Sequence, residues 1–225
     1  MNRTPAPRAG AGAMQVGARD PGTILTLRQA TEADAGHIRT FVCGLSPRSQ
    51  YLRFFTVAAP PSAALVRALC GGGRRGGADI LLITDSEGAV VAHAMAVDEP
   101  GTDGPATNVG IVIADHLQHC GLGTLLLSAL ISRATSRGVR AAVMDVLPAN
   151  DLVLGILQRR WPAAPRERTL DAITVRPALL PALRSATQAL PATFTLPVPR
   201  SGAAATSPGQ LCPDGGDRAP QLRVA

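Results

Sequence analysis

Residues Thr107 to Arg137 read T-N-V-G-I-V-I-A-D-H-L-Q-H-C-G-L-G-T-L-L-L-S-A-L-I-S-R-A-T-S-R, and this stretch decides how the chain is arranged. The β-branched apolar run Val109, Ile111, Val112 and Ile113 predicts a strand. Gly121-Leu122-Gly123 then stands directly before a Leu-rich segment of helical period, so a strand, a glycine turn and a helix follow one another. A helix N-terminus leaves its first N–H groups without intrahelical partners and gathers partial positive charge from aligned peptide dipoles. Glycines before it remove side chains that would keep an anion away from those groups. The junction is a candidate cradle for a phosphate or diphosphate.

Two common nucleotide loops do not fit. A P-loop requires G-x-x-x-x-G-K-[ST], and this chain has no lysine; a dinucleotide fingerprint requires G-x-G-x-x-G, which this junction lacks. The spacing Gln118-His119-Cys120-Gly121-Leu122-Gly123 instead resembles the Q/R-x-x-G-x-G/A signature of the GNAT acetyltransferase superfamily, whose turn holds the diphosphate of acetyl-CoA. A second string, Leu45-Ser46-Pro47-Arg48-Ser49-Gln50-Tyr51-Leu52-Arg53-Phe54-Phe55, resembles a segment of bacterial protein-lysine acetyltransferase-type GNAT domains. Read from its residues alone, it is a helix with Ser46 as N-cap and Pro47 in the first turn, docked by its aromatic side chains.

The order of elements agrees with that resemblance. Ile24 to Arg28 is a strand, and Thr31 with Asp34 opens an amphipathic helix whose apolar positions are Ala35, Ile38, Val42 and Leu45. Ser62 to Leu69 is a short helix, and Gly71 to Gly77 a flexible loop. Asp79–Thr84 and Val90–Val97 form a hairpin around Asp85-Ser86-Glu87-Gly88. After the long helix come a strand at Ala141–Leu147, a helix at Asp151–Arg160 and a last strand at Leu170–Val175. The expected fold is α+β (mixed α/β), a mostly antiparallel, splayed sheet of six to seven strands flanked by helices. It occupies residues 23–175, with 1–22 and most of the Pro/Ala-rich 176–225 expected to be disordered tails.

The resemblance implies residue roles. Ile111, Val112 and Ile113 would offer backbone groups to the pantetheine arm, and Gln118, His119, Cys120, Gly121, Leu122, Gly123 and Thr124 would form the diphosphate turn. Asn150, in V-L-P-A-N, would hydrogen-bond the arm; as a plain residue it is a favoured helix N-cap. Tyr51, Arg53 and Phe54 would wall the acceptor groove. Departures fall on the chemistry: the usual Glu of the strand before the turn aligns with Asn108, and the usual Tyr acid with Leu157. His93 and Glu99 are the substitute base candidates, although a histidine on an apolar strand is more often a satisfied core residue. The implied function is acetyl transfer from acetyl-CoA to an amine, a protein lysine or a small molecule. The alternative is a catalytically degenerate domain that senses acyl-CoA or scaffolds a partner.

Composition narrows the rest. Of 225 residues, 46% are hydrophobic, enough for one good core. The net charge of +6 comes from 22 arginines against 16 acids. The excess lies in the two tails, and aromatics make up 3%, so no stacking platform accompanies a basic stripe and specific nucleic-acid binding is not expected. Four dispersed cysteines give neither a C-x-x-C metal pair nor a disulfide framework. No apolar run reaches the roughly 20 residues that span a bilayer. A cytoplasmic protein is expected; the acceptor and oligomeric state are not specified by the sequence.

Overall fold

A computed structural model describes residues 23–57, 59–72, 77–101, 104–179 and 193–196. The expected N-terminal tail, the middle of the Gly71–Gly77 loop and most of the C-terminal tail lie outside these residues.

The strands are β1 (Thr23–Gln29), β2 (Ala78–Thr84), β3 (Val90–Gly101), β4 (Gly104–Ile113), β5 (Ala141–Val146), β6 (Arg166–Arg168), β7 (Ile173–Val175) and β8 (Thr193–Leu196). The helices are α1 (Ala35–Gly44), α2 (Pro47–Phe54), α3 (Ala63–Leu69), α4 (Leu122–Ser136) and α5 (Asp151–Arg160). One open sheet runs β6-β7-β5-β4-β3-β2-β1-β8. Every neighbouring pair is antiparallel except β4 and β5, which run parallel because α4 crosses between them.

The eight strands exceed the expected six or seven. β8 falls in the stretch expected to lack structure, and its T-F-T-L alternation pairs with the otherwise free edge of β1, Leu25 opposite Phe194. The expected strand at Leu170–Val175 is shorter, and Arg166–Arg168 supplies its antiparallel partner.

Two apolar cores lie on opposite faces. Along β3, Ala92, Ala94 and Ala96 face α4, and their small side chains let Leu126 and Leu130 sit against the sheet. Met95 and Val97 face the other way, against Ile38 and Val42 of α1 and Leu65 and Leu69 of α3.

The C-terminal end of α4 is tied down by charge. Asp79, buried at the start of β2, accepts from Arg133 Nε at 2.5 Å and from Arg137 Nη1. Arg137 also donates to Asp98 of β3 at 2.8 and 3.0 Å. Cations at a helix C-terminus suit its dipole. The helix that carries the glycine turn at one end is therefore clamped at the other.

Candidate active site

The parallel pairing of β4 with β5 stops early. Ala106, Thr107 and Asn108 face Ala141, Ala142 and Val143, and beyond Asn108 the two strands part. Ala114 N donates to Val91 O across β3, so by strand alternation the N–H and C=O groups of Ile111 and Ile113 point into the gap. Val112 points its backbone groups to β3 opposite His93, so its place is in the wall rather than along the opening.

At the end of that gap the chain turns through residues 114–121. His119 and Gly121 both adopt left-handed backbone, at φ 64 and 83. Left-handed residues interleaved with ordinary ones gather successive N–H groups into an anion-accepting concavity. Gly121 is the N-cap of α4 and caps with no side chain. Among the described residues, the amides of His119, Cys120, Gly121, Leu122, Gly123 and Thr124 donate to no protein acceptor, although Gly121 O accepts from Leu125. A Cβ built on Gly121 meets nothing within 4 Å, and one on Gly123 meets only Ile113 Cδ1 at 3.4 Å. Free donors around open space fit a diphosphate.

A hydrogen-bonded latch joins this turn to α2. Asp115 accepts from Ser46 N at 2.9 Å, Ser46 Oγ at 2.7 Å and Ser49 Oγ at 2.7 Å. Burial pushes the Asp115 carboxyl upward, but these donors outweigh it and hold it below its ordinary value. Gln118 Nε2 donates to Ser49 Oγ at 3.1 Å and to Ile113 O at 3.2 Å.

The far side of α2 borders a pocket of about 400 Å³, lined by Tyr51, Phe55, Leu147, Pro148, Ala149, Leu170 and Asp171. Its walls are apolar, and Asp171 is the one charged lining residue. Of the three residues that the resemblance placed on an acceptor groove, Tyr51 lines this pocket. Phe54 packs instead against the α1/α3 core, and Phe55 takes the lining position. Arg53 is buried at 4% exposure, its Nε and Nη2 without hydrogen-bond partners among the described residues and its guanidinium 5.2 Å from the Phe54 ring. The i, i+4 geometry explains the division: Ser49 and Arg53 share the inward face of α2, while Tyr51 and Phe55 share the pocket face.

Asn150 is the N-cap of α5, its Oδ1 accepting from Val153 N at 3.4 Å. Among the described residues its amide NH2 has no acceptor, so both donors remain for another partner. Asn108 stands at the last paired position before the cleft opens. Leu157 is 2% exposed within the α4-side core.

The two base candidates lie apart from the pocket lining. His93 is buried, and its Nε2–H donates to Leu69 O at 2.9 Å. Burial, with the neighbouring Arg53 charge adding to it, pushes His93 down to about 4, so it is neutral at pH 7. Glu99 pairs opposite Ala106, where β4 and β5 are still joined.

Asp145 is the carboxylate that the sequence reading passed over. It lies on β5 two residues beyond Val143, where the cleft has opened, and by alternation it shares a sheet face with Leu147 of the pocket wall. Thr174 Oγ1 donates to its Oδ1 at 2.6 Å from the adjacent β7. In sequence it reads as one polar position in the apolar run A-A-V-M-D-V-L, and that break was the available signal. Ser49 and Asp115 were likewise missed, because their partners lie 66 to 69 residues away.

No cluster of three metal-ligating side chains occurs among the described residues, and no helix among them is long and apolar enough to cross a membrane. Cys70 and Cys120 are free thiols, whereas Cys43 is disulfide-bonded, a link that the dispersed cysteine spacing did not suggest.

Comparison with known proteins bears on this geometry. Residues 49–160 match the profile of the acetyltransferase (GNAT) family. The fold is similar to that of the GNAT domain of S. lividans PAT, with 23% identity and a TM-score of 0.59 over 68% of this chain and 89% of that one. It is also similar to a phosphinothricin acetyltransferase from Sinorhizobium meliloti, solved with AcCoA (21% identity, TM-score 0.53, 74% and 97% covered). A third likeness is the spermidine N-acetyltransferase of Vibrio cholerae, solved with CoA and spermine (12% identity, TM-score 0.54, 69% and 95% covered). No curated protein sequence matches the chain significantly.

Proposed function

The chain belongs to the acetyltransferase (GNAT) family through residues 49–160, and on that premise we propose that it is an acetyl-CoA-dependent N-acetyltransferase acting on an amine, either a protein lysine or a small molecule. The observation that carries this reading is the parting of β4 from β5 after Asn108, which leaves the inward amides of Ile111 and Ile113 facing a gap that ends at six amides around Gly121 with no protein acceptor among the described residues. Acetyl-CoA, the cosubstrate of the family, supplies the acetyl thioester. In this chain the amides of residues 119–124 would hold its diphosphate, the Ile111 and Ile113 backbone its pantetheine amides, and the Asn150 NH2 group would donate to the same arm.

The pocket chemistry suits an amine. Asp171 attracts an ammonium group, and the apolar lining accepts the carbon chain behind it. Acyl transfer forms a C–N bond and breaks a C–S bond, so the nitrogen must shed a proton and the departing sulfur must gain one. Asn108 cannot take that proton, and His93 is buried, neutral and bonded to Leu69. Asp145 is the carboxylate on the pocket face of the opened strand, with Thr174 fixing one oxygen and leaving the other to accept.

Titration calorimetry with acetyl-CoA, followed by a CoA-release assay over a panel of peptides and amines, tests this reading. Binding with steady turnover that falls at least about 100-fold in Asp145→Asn supports it, a loss of the size removal of a general base produces. No binding at millimolar acetyl-CoA overturns it. Binding without turnover on any amine favours the sensing role, which the burial of Leu157 in the core motivates.

A further inference from the structure

The turn that would hold the diphosphate does not fix its own shape. His119 is a non-glycine residue in left-handed backbone, a conformation that costs on the order of 1–2 kcal/mol and must be imposed by its surroundings. The side chains and backbone that touch the turn come from α2 and from Ile113 of β4. Gln118, the residue before His119, has its amide pinned by two acceptors, Ile113 O and Ser49 Oγ. Ser49 can accept from Gln118 because its own proton is given to Asp115 at 2.7 Å, so the hydroxyl has one defined orientation. Asp115 in turn is held by Ser46, the N-cap residue of α2, through both its N–H and its hydroxyl. Ser49 is 8% exposed, so its hydroxyl is shielded from water, while Asp115 and its bonds to Ser46 lie at the surface.

We infer that Ser49, oriented by Asp115, is a positioning residue for the cofactor turn: it locks Gln118 so that the amides of residues 119–124 converge before a ligand arrives. Because α2 also presents Tyr51 and Phe55 to the pocket, the helix that walls the acceptor side and the turn that grips the diphosphate are one hydrogen-bonded unit. Ser46, Ser49, Asp115 and Gln118 are not among the residues that line the pocket, so the contribution of the latch belongs to cofactor affinity and not to the chemical step. The inference rests on the functional reading above.

The test compares acetyl-CoA with acetyl-pantetheine, which carries the same thioester and arm but no diphosphate. Ser49→Ala is expected to weaken acetyl-CoA binding about tenfold, the effect of losing one partly buried hydrogen bond to a charged group, and to change acetyl-pantetheine binding by less than about twofold. KM for acetyl-CoA should rise by the same factor with kcat nearly unchanged. Ser49→Thr keeps the hydroxyl and should restore affinity. Should Ser49→Ala fail to fold, Gln118→Met removes the donor while leaving α2 anchored to Asp115, and the same tenfold selective loss is expected. Equal losses for both ligands, or none for acetyl-CoA, would overturn the positioning role while leaving the transferase reading intact. A wild-type protein that prefers acetyl-CoA no more than acetyl-pantetheine would overturn it too, and one that binds neither ends the transferase reading itself.

Discussion

The two ends of α4 are built on opposite principles. At the C-terminal end two arginines converge on Asp79, and Arg137 reaches Asp98 as well, so the charges in this corner are met by protein partners. At the N-terminal end the cap residue is a glycine, no side chain caps the helix, and the first amides have no protein acceptor among the described residues. A helix kept only for stability would be capped at both ends, since a missing N-cap forfeits about 1 kcal/mol. Saturation at one end and deliberate vacancy at the other separate the part of the helix that holds the fold from the part that meets a ligand.

That contrast breaks most visibly at the clamp. Asp79→Ala removes the shared acceptor of two partly exposed arginines, and chemical denaturation should show a loss of about 3 kcal/mol from the two charge-assisted hydrogen bonds. Acetyl-CoA affinity of the folded fraction should be unchanged, because the turn lies at the other end of the helix. Loss of affinity comparable to the loss of stability would erase the distinction between the two ends.

A buried group outside both ends gives the next effect. His93 ordinarily protonates near 6.5 and is pushed down to about 4 in the fold. The unfolded chain therefore binds the proton first as the pH drops. Its contribution is whole above pH 6.5 and drains away as the pH falls from 6.5 to 4, by roughly 3 kcal/mol at most. Urea titrations across that window should show the slope in the wild type and a flatter profile in His93→Gln. If this slope persists in His93→Gln, the acid sensitivity belongs elsewhere.

At the open end, Gly121→Val should cost about 1–2 kcal/mol of stability from the left-handed backbone alone, since its Cβ meets no protein atom within 4 Å. Its effect on ligand should be larger, at least about tenfold in acetyl-CoA affinity, because the new side chain fills the space before the free amides. A variant that loses stability but keeps full affinity would show that the turn is not the cradle. The smallest effect is expected back at the clamp. Arg133 is 42% exposed and Asp79 keeps Arg137, so Arg133→Gln should shift stability by less than about 1 kcal/mol.

Legibility from sequence followed the range of the contacts involved. The apolar runs D-I-L-L-I-T and V-V-A-H-A-M-A-V, the Ser46-Pro47 helix start and the Gly121-Leu122-Gly123 turn are local signals, and most elements appeared within a residue or two of their expected places; but β3 runs on to Gly101, β4 already begins at Gly104, β8 was not expected, and the C-terminal edge of the sheet differs. There, a two-strand ribbon of Arg166–Arg168 and Ile173–Val175 replaced one longer strand, because R-E-R is exposed at all three positions and offers no apolar alternation to read. On α2, the string of aromatics suggested a groove, but which of Tyr51, Phe54 and Phe55 faces it depends on how the helix is rolled against the sheet.

By itself, then, the sequence determined the order of the strands and helices from β1 to α5, the place where β-structure hands over to α4, and the absence of side chains at the turn. These follow from steric preferences and periodicity that act within a few residues. Only the tertiary structure decided that β4 and β5 part after Asn108, that Arg53 is buried while Tyr51 and Phe55 meet a pocket, that Asp145 shares that pocket's sheet face, and that Ser49 and Asp115 lock Gln118. Those facts arise from segments far apart in sequence meeting in the fold, 66 to 69 residues apart in the case of the Ser49 latch, where geometry and desolvation select partners that no local pattern encodes.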